Sequence, residues 1–223
     1  MFENNEWQPP SGIDRWYALV DELATSGYGI LTDFLDREEV ESLRTALFAH
    51  EEEKRFKTAG IGSAHEHQVD QSIRGDRIKW IEPKEAVPAA RKYLDKLDEL
   101  RLFLNRTCFL GLADFEVHFA WYPPGTHYER HRDTLNINDH RVISVVTYLN
   151  LDWTPEQGGC MRVYEDAIFN DSTTGRYMGI SPQAGTLVLL DSKRIEHEVL
   201  PSFVDRYSLT GWMLDKPQKL TFL

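Results

Sequence analysis

The stretch WYPPGTHYERHRD, residues 121–133, sets an imidazole and a carboxylate two positions apart, at His131 and Asp133. In an extended chain, side chains two apart project from the same face, so the pair can present a ring nitrogen and a carboxylate oxygen to one point. Those are two ligands of a metal ion. A polar pair at the end of a strand has the same spelling, and a third donor from another strand is needed to separate the two readings. His197 is the best candidate: in GTLVLLDSKRIEHEVLP an apolar strand ends, a charged turn reverses the chain, and a new strand begins with that histidine. Two histidines and a carboxylate leave about three metal positions open for small ligands, the donor set of non-haem Fe(II) oxygenase sites.

Arg206 follows nine residues after His197 and opens a strand that continues to Trp212. A guanidinium carried into the interior of the same β structure is a permanent cation and requires an anionic partner. No acidic side chain near it in sequence is an evident one, and a diacid ligand would supply the charge. Zinc hydrolysis fits poorly, because it leaves Arg206 without a role. His127 and His131 are four apart, as on a zinc-binding helix, but Pro123, Pro124 and Gly125 make a helix there improbable and no Glu follows the first histidine. His65 and His67 have ligand-like spacing but no carboxylate at a fixed offset, and His140 reads as loop surface.

The elements that must position these groups fit in 223 residues, one domain able to bury about 70% of the surface of its unfolded chain. A net charge of -11 argues against a nucleic-acid surface, although Arg130, Arg132, Arg141, Lys193, Arg194 and Arg206 allow a locally positive cleft for a small anion. With no basic leader before an apolar run and no long apolar span, the expectation is a soluble, cytoplasmic protein without a membrane partner. Cys108 and Cys160 are isolated and read as buried thiols.

Trp16, Leu19, Val20 and Leu23 predict a helix over Ile13–Ser26, stopped by Gly27, and Tyr28–Leu31 reads as a short strand. Asp36 and Glu39 form a capping-box-like start for a second helix lined by Val40, Leu43 and Leu47, with residues 51–54 as its solvated end. Residues 56–72 lose all periodicity and read as a long loop of the kind that serves as a lid. A strand containing Ile78 and Trp80 follows, and Pro88 opens a third helix with Leu94, Leu97, Leu100 and Leu104 as its stripe. After Gly111 the period becomes two: Phe115, Val117, Phe119 and Trp121 form an aromatic face to pack under the helices, while Glu116, His118, Ala120 and Tyr122 line a polar interior. On that face His118 reads as a hydrogen-bonded core histidine. Further strands are expected at 142–149, 160–164, 185–190, 197–200 and 206–214.

His131-x-Asp133, the distal His197 and Arg206 with Ser208 two later resemble the iron and cosubstrate signature of the 2-oxoglutarate-dependent dioxygenases. Within them the chain is similar to the oxygen-sensing prolyl hydroxylases and their bacterial relatives, through GYGILTDFL, IRGDRIKWIE, AWYPPGTHYERHRD, TYLNLDW, GGCMRVY and HEVLPSFVDRYSLTGW. The PPGTH turn departs from the commoner glycine-rich spelling. The resemblance implies an α+β fold with a double-stranded β-helix (jelly-roll, cupin-like) core at 111–216, its helices and lid loop at 1–110 packed on the major sheet, all in one domain over 1–223. It implies Fe(II) on His131, Asp133 and His197, 2-oxoglutarate and O2 as cosubstrates, and ascorbate as a reductant. Arg206, assisted by Tyr148, would take the distal carboxylate of 2-oxoglutarate, with Ser208 in the same pocket. Tyr122 would bond near its metal-bound end, and Trp212, Val199, Val146 and Met161 would form apolar wall. Arg141, Tyr128, Trp80, Arg74 and Asp76 match positions that border the target chain in relatives. The implied activity is hydroxylation of a prolyl residue in an exposed segment of a protein, with a free amino acid, another protein side chain, or non-catalytic sensing of 2-oxoglutarate as alternatives.

Overall fold

The structure is a computed structural model that describes residues 12–52, 56–59, 73–134, 139–165 and 175–217. Its helices are α1 (Ile13–Ser26), α2 (Arg37–Glu52) and α3 (Pro88–Cys108). Its strands are β1 (Tyr28–Leu31), β2 (Lys57–Thr58), β3 (Arg77–Trp80), β4 (Asp114–Tyr122), β5 (Tyr128–His131), β6 (Arg141–Tyr148), β7 (Met161–Tyr164), β8 (Tyr177–Ile180), β9 (Leu187–Asp191), β10 (His197–Val199) and β11 (Arg206–Leu214).

Each helix forms for local reasons and stays because one stripe is buried. The α1 stripe of Trp16, Leu19, Val20 and Leu23 is buried, and Gly27, in the left-handed region at φ 77°, donates its N–H to the Leu23 carbonyl to end the helix. A reciprocal capping box starts α2: the Glu39 N–H bonds Asp36 Oδ1 at 2.8 Å and the Asp36 N–H bonds Glu39 Oε2 at 2.9 Å. Proline at the first position of α3 costs no hydrogen bond.

Two antiparallel sheets face each other. The larger has the order β1-β9-β6-β11-β4-β3-β2 and the smaller β5-β10-β7-β8. Strand alternation divides the larger sheet's side chains between two clusters. Val117, Phe119, Ile143, Val145, Leu187, Leu189, Tyr207, Leu209 and Met213 point outward into a core completed by the three helices. Tyr28, Val146, Tyr148, Val188 and Leu190 point inward against Met161, Val163 and Ile180 of the smaller sheet. The helices therefore pack on the major sheet as expected. The first half of the chain also supplies β1, β2 and β3, which extend that sheet at both edges. Close approach of β11 to β4 requires Gly211, where a Cβ would fall 2.1 Å from the Glu116 carbonyl oxygen.

Some elements differ from the sequence reading. Lys57–Thr58 is a short strand inside the expected long loop; His65, His67 and the rest of that loop's tip lie outside the described residues, as do the side chains of residues 51–54. β8 was not expected: YMGI carries a glycine, lacks alternation and is largely exposed at the sheet edge. Both cysteines are half-buried, not buried, because each sits at an element end where one side remains open. Among the described residues no helix is long and apolar enough to cross a membrane.

Candidate active site

β5 and β10 are antiparallel neighbours in the smaller sheet, and their register sets His131 directly opposite His197. The rings tilt toward one another with centroids 4.3 Å apart. Asp133 lies just past the end of β5, in a bend, so the same-face pairing is achieved by a turn and not by a continued strand. The turn brings Asp133 Oδ1 to 3.5 Å from His131 Nε2 and Oδ2 to 3.9 Å from His197 Nε2. One donor atom from each of the three residues lies within 4.8 Å of the others, a group able to hold a metal ion.

Support around these donors fixes their orientation. His131 Nδ1 is 2.6 Å from the Glu129 carbonyl oxygen, which can only accept, so that nitrogen carries the proton and Nε2 keeps its lone pair for a metal. His197 Nδ1 faces the Ile195 carbonyl at 3.5 Å, a looser version of the same arrangement. Burial, then the charge of His131, lowers the His197 pKa to about 4 against the pull of Asp133, so its imidazole is neutral at pH 7. Burial raises the Asp133 carboxyl, but the charge of His197 and the hydrogen bond and charge of His131 outweigh it, and the group is held well below the usual carboxylate range.

Arg206 is the largest fully buried side chain, 1% exposed. Its Nε donates to the Gly159 carbonyl at 2.9 Å, its guanidinium lies 4.9 Å from the Tyr122 ring and 5.1 Å from the Tyr148 ring, and its Nη2 has no partner. Gly159 permits this approach: it is in the left-handed region at φ 64°, and a Cβ there would sit 3.0 Å from Arg206 Cδ. Tyr148 is buried beside Met161, with its hydroxyl 3.7 Å from the sulfur and close to Arg206; burial raises its pKa to about 12, against the field of Arg206. Burial, then the charge of Asp76, raises Tyr122 well above its usual value. Both hydroxyls are therefore protonated donors at pH 7. Ser208 is buried and bonds the Thr210 hydroxyl at 3.2 Å.

The cation and the donor group are joined through shared neighbours: Arg206 lies against the Tyr122 ring, which packs with Val199 and with Tyr128, the ring stacked on His131. Val199, two residues past His197, packs with Ala120, Tyr122 and Tyr128, while Val146 and Met161 border Tyr148. A His-Asp-His donor set fits a divalent iron, and a buried Nη2 with no partner fits one end of a diacid.

Of the remaining expected residues, Tyr128 and Arg141 are half-buried and Trp80 is exposed, while Arg74 and Asp76 are buried. Tyr128 stacks on His131 with centroids 3.6 Å apart, Arg141 lies 3.7 Å above the Trp212 ring and 3.3 Å from Glu116, and Trp80 is 41% exposed beside them. Arg74 and Asp76 are turned inward: they pair through bonds of 2.6 and 3.0 Å, and Arg74 lies 4.8 Å from the Tyr128 ring. His140 is at the surface, 2.8 Å from Asp215. His118 differs from expectation: it is fully buried, yet neither ring nitrogen has a hydrogen-bond partner, because its neighbours are the rings of Trp80 and Trp212.

Sequence reasoning missed Ser144, which helps to hold the Asp133 carboxyl low and whose hydroxyl lies 2.8 Å from that of Ser192, and the Gly159 carbonyl that anchors Arg206. A lone serine among β-branched residues in VISVV was the available signal for Ser144; nothing marked a backbone carbonyl.

Residues 117–214 match the 2OG-Fe(II) oxygenase superfamily. Over 203 residues the chain is 29% identical to Egl nine homolog 1 of Rattus norvegicus, an alignment covering 86% of this chain and 56% of that protein. The chain spans about half the length of the curated relatives it matches. A prolyl-4-hydroxylase of Pseudomonas putida has a similar structure, with a TM-score of 0.79 and 39% identity over 90% of this chain and 99% of that one. A prolyl hydroxylase of Trichoplax adhaerens, in complex with a hypoxia inducible factor oxygen degradation domain peptide fragment, gives 0.77 at 29% identity over 90% and 89%. These neighbours have a double-stranded β-helix core, the architecture of the two facing sheets here.

Proposed function

The chain belongs to the 2OG-Fe(II) oxygenase superfamily, and from that premise we propose that it hydroxylates a prolyl residue of a protein, converting 2-oxoglutarate and O2 to succinate and CO2. The observation that carries the reading is the buried Nη2 of Arg206, without a partner among the described residues, on a side chain joined through Tyr122, Val199 and Tyr128 to the His131, Asp133 and His197 group. An internal site with three metal donors at one end and a lone cation at the other suits a ligand that is both chelating and anionic. Likeness to prolyl hydroxylases, at 39% identity over 90% of the chain, supports the choice of target.

His131, Asp133 and His197 would hold Fe(II), which, together with 2-oxoglutarate and O2, supplies the oxidising chemistry that places one oxygen atom on the target C–H. The chain's residues do the rest. Arg206 binds the distal carboxylate through a charge-assisted hydrogen bond, and the protonated Tyr148 hydroxyl donates beside it. The Tyr122 hydroxyl donates toward the metal-side end. Val146, Met161 and Val199 exclude water from the site, and Trp80, Tyr128 and Arg141 border the target segment.

The test is mass spectrometry of a cell extract incubated with the protein, Fe(II), 2-oxoglutarate and ascorbate. The expected result is a gain of one oxygen on a proline, lost for His131→Ala or His197→Ala. Succinate formation by those variants at the wild-type rate rules out the metal assignment, and a free amino acid turned over in preference to any protein rules out the substrate class.

A further inference from the structure

Three buried polar side chains lack partners among the described residues: Arg206 through Nη2, Trp212 through Nε1 and His118 through both ring nitrogens. Buried polar groups in native structures are almost always paired, so a cluster of unpaired ones marks the place of a polar occupant. All three lie on the inward face of β4 and β11. Counting along β11 from Arg206, the inward positions are Ser208, Thr210 and Trp212, and the register sets Ala120 opposite Ser208 and His118 opposite Thr210. Ser144, which helps to hold the Asp133 carboxyl low, stands opposite Trp212 on the other side of β11. His118 therefore lies two inward positions along β4 from Tyr122, the residue opposite Arg206, and its ring feels the charge of Asp133.

Its chemistry is also defined. Burial, then the charges of Arg74 and Arg141, holds the His118 pKa well below 6.5, so the ring is neutral with one donor and one acceptor nitrogen. The Trp212 ring, 5.6 Å away, offers a donor only, and Trp80 closes the other side at 4.8 Å. Two donors with no acceptor of their own fit an anionic oxygen. A diacid gripped by Arg206 at one carboxylate has a second carboxylate to place.

We propose that the His118 imidazole hydrogen-bonds the carboxylate at the metal-side end of 2-oxoglutarate and thereby sets how that end approaches the His131, Asp133 and His197 group. The inference rests on the reading of 2-oxoglutarate as cosubstrate. A side chain of this kind acts on cosubstrate affinity and on the angle of chelation, leaving Arg206 and its carboxylate untouched.

The experiment titrates 2-oxoglutarate into Mn(II)-loaded protein by calorimetry, for wild type, His118→Met and His118→Gln, and records the visible charge-transfer band of each anaerobic Fe(II) and 2-oxoglutarate complex. His118→Met removes the donor and is expected to weaken 2-oxoglutarate binding about tenfold and to displace the band. His118→Gln keeps an amide N–H and is expected to stay within about threefold of wild type. His118→Leu replaces the methionine variant if that one does not fold. Failure of the wild type to bind 2-oxoglutarate removes the cosubstrate reading itself. Wild-type affinity in the apolar variant, or equal weakening in the apolar and glutamine variants as lost packing would give, overturns the role of His118 and leaves the cosubstrate reading standing.

Discussion

Among the described residues two arginines are buried, in opposite circumstances. Arg74, in the turn before β3, is 9% exposed and closes on Asp76 through two hydrogen bonds. Arg206, at the start of β11, is 1% exposed, donates to the Gly159 carbonyl, lies close to the Tyr148 hydroxyl, and has an idle Nη2 among the described residues. Desolvating a guanidinium is expensive in both places. The first region carries its own counterion and is complete as structure. On the function proposed above the second imports its counterion, and that difference would separate a brace from a binding site.

The comparison predicts unequal responses. Asp76→Ala removes the buried carboxylate that neutralises Arg74, and urea unfolding is expected to show the largest loss, about 3–5 kcal/mol. Arg206→Ala removes a charge with no carboxylate partner, so unfolding without ligand is expected to be nearly unchanged or slightly strengthened. The same variant is expected to lose about 1.5–3 kcal/mol in 2-oxoglutarate affinity by calorimetry, tenfold to a hundredfold. Strong destabilisation by Arg206→Ala would erase the contrast. Asn150 is the neutral counterpart of the paired region: its amide donates to the Pro182 and Tyr207 carbonyls at 2.8 and 3.1 Å and accepts from the Tyr207 N–H at 2.7 Å, beside Arg206. Asn150→Ala is expected to cost about 2 kcal/mol in the same unfolding experiment. Tyr148→Phe removes one hydroxyl from the importing region, and the expected effect on 2-oxoglutarate affinity is the smallest, about 0.5–1.5 kcal/mol.

Much of this was legible in the sequence, for physical reasons that differ by element. The stripes of α1 and α3 and the alternation of β4 are set by burial period, so the sequence alone assigns their faces correctly. The three donors were legible because few residue types hold iron and their spacing along strands is restricted. The pairing of Arg74 with Asp76 was not legible: IRGD reads equally as a solvated turn, and only the fold shows the turn closing on itself under Tyr128. His118 was misread because a periodic pattern identifies the face a side chain occupies and says nothing of whether its polar atoms find partners there. β8 escaped because a short edge strand is specified by its neighbour β7 more than by its own residues.

The division of labour between the two sheets has a mechanical side. His131 and His197 ride on the smaller sheet, Arg206 and Tyr148 on the larger, and only the larger is backed by helices. The walls thus differ in stiffness, and a diacid seated between a metal on one and a guanidinium on the other is a tie rod across the gap. Load applied to the lighter wall passes through that rod to the heavier one, so occupancy should stiffen the lighter wall most. Amide hydrogen exchange checks this: adding Mn(II) and 2-oxoglutarate together is expected to slow β5, β7 and β10 more than β6 and β11, and Mn(II) alone, which leaves the rod unfastened at one end, is expected to do less.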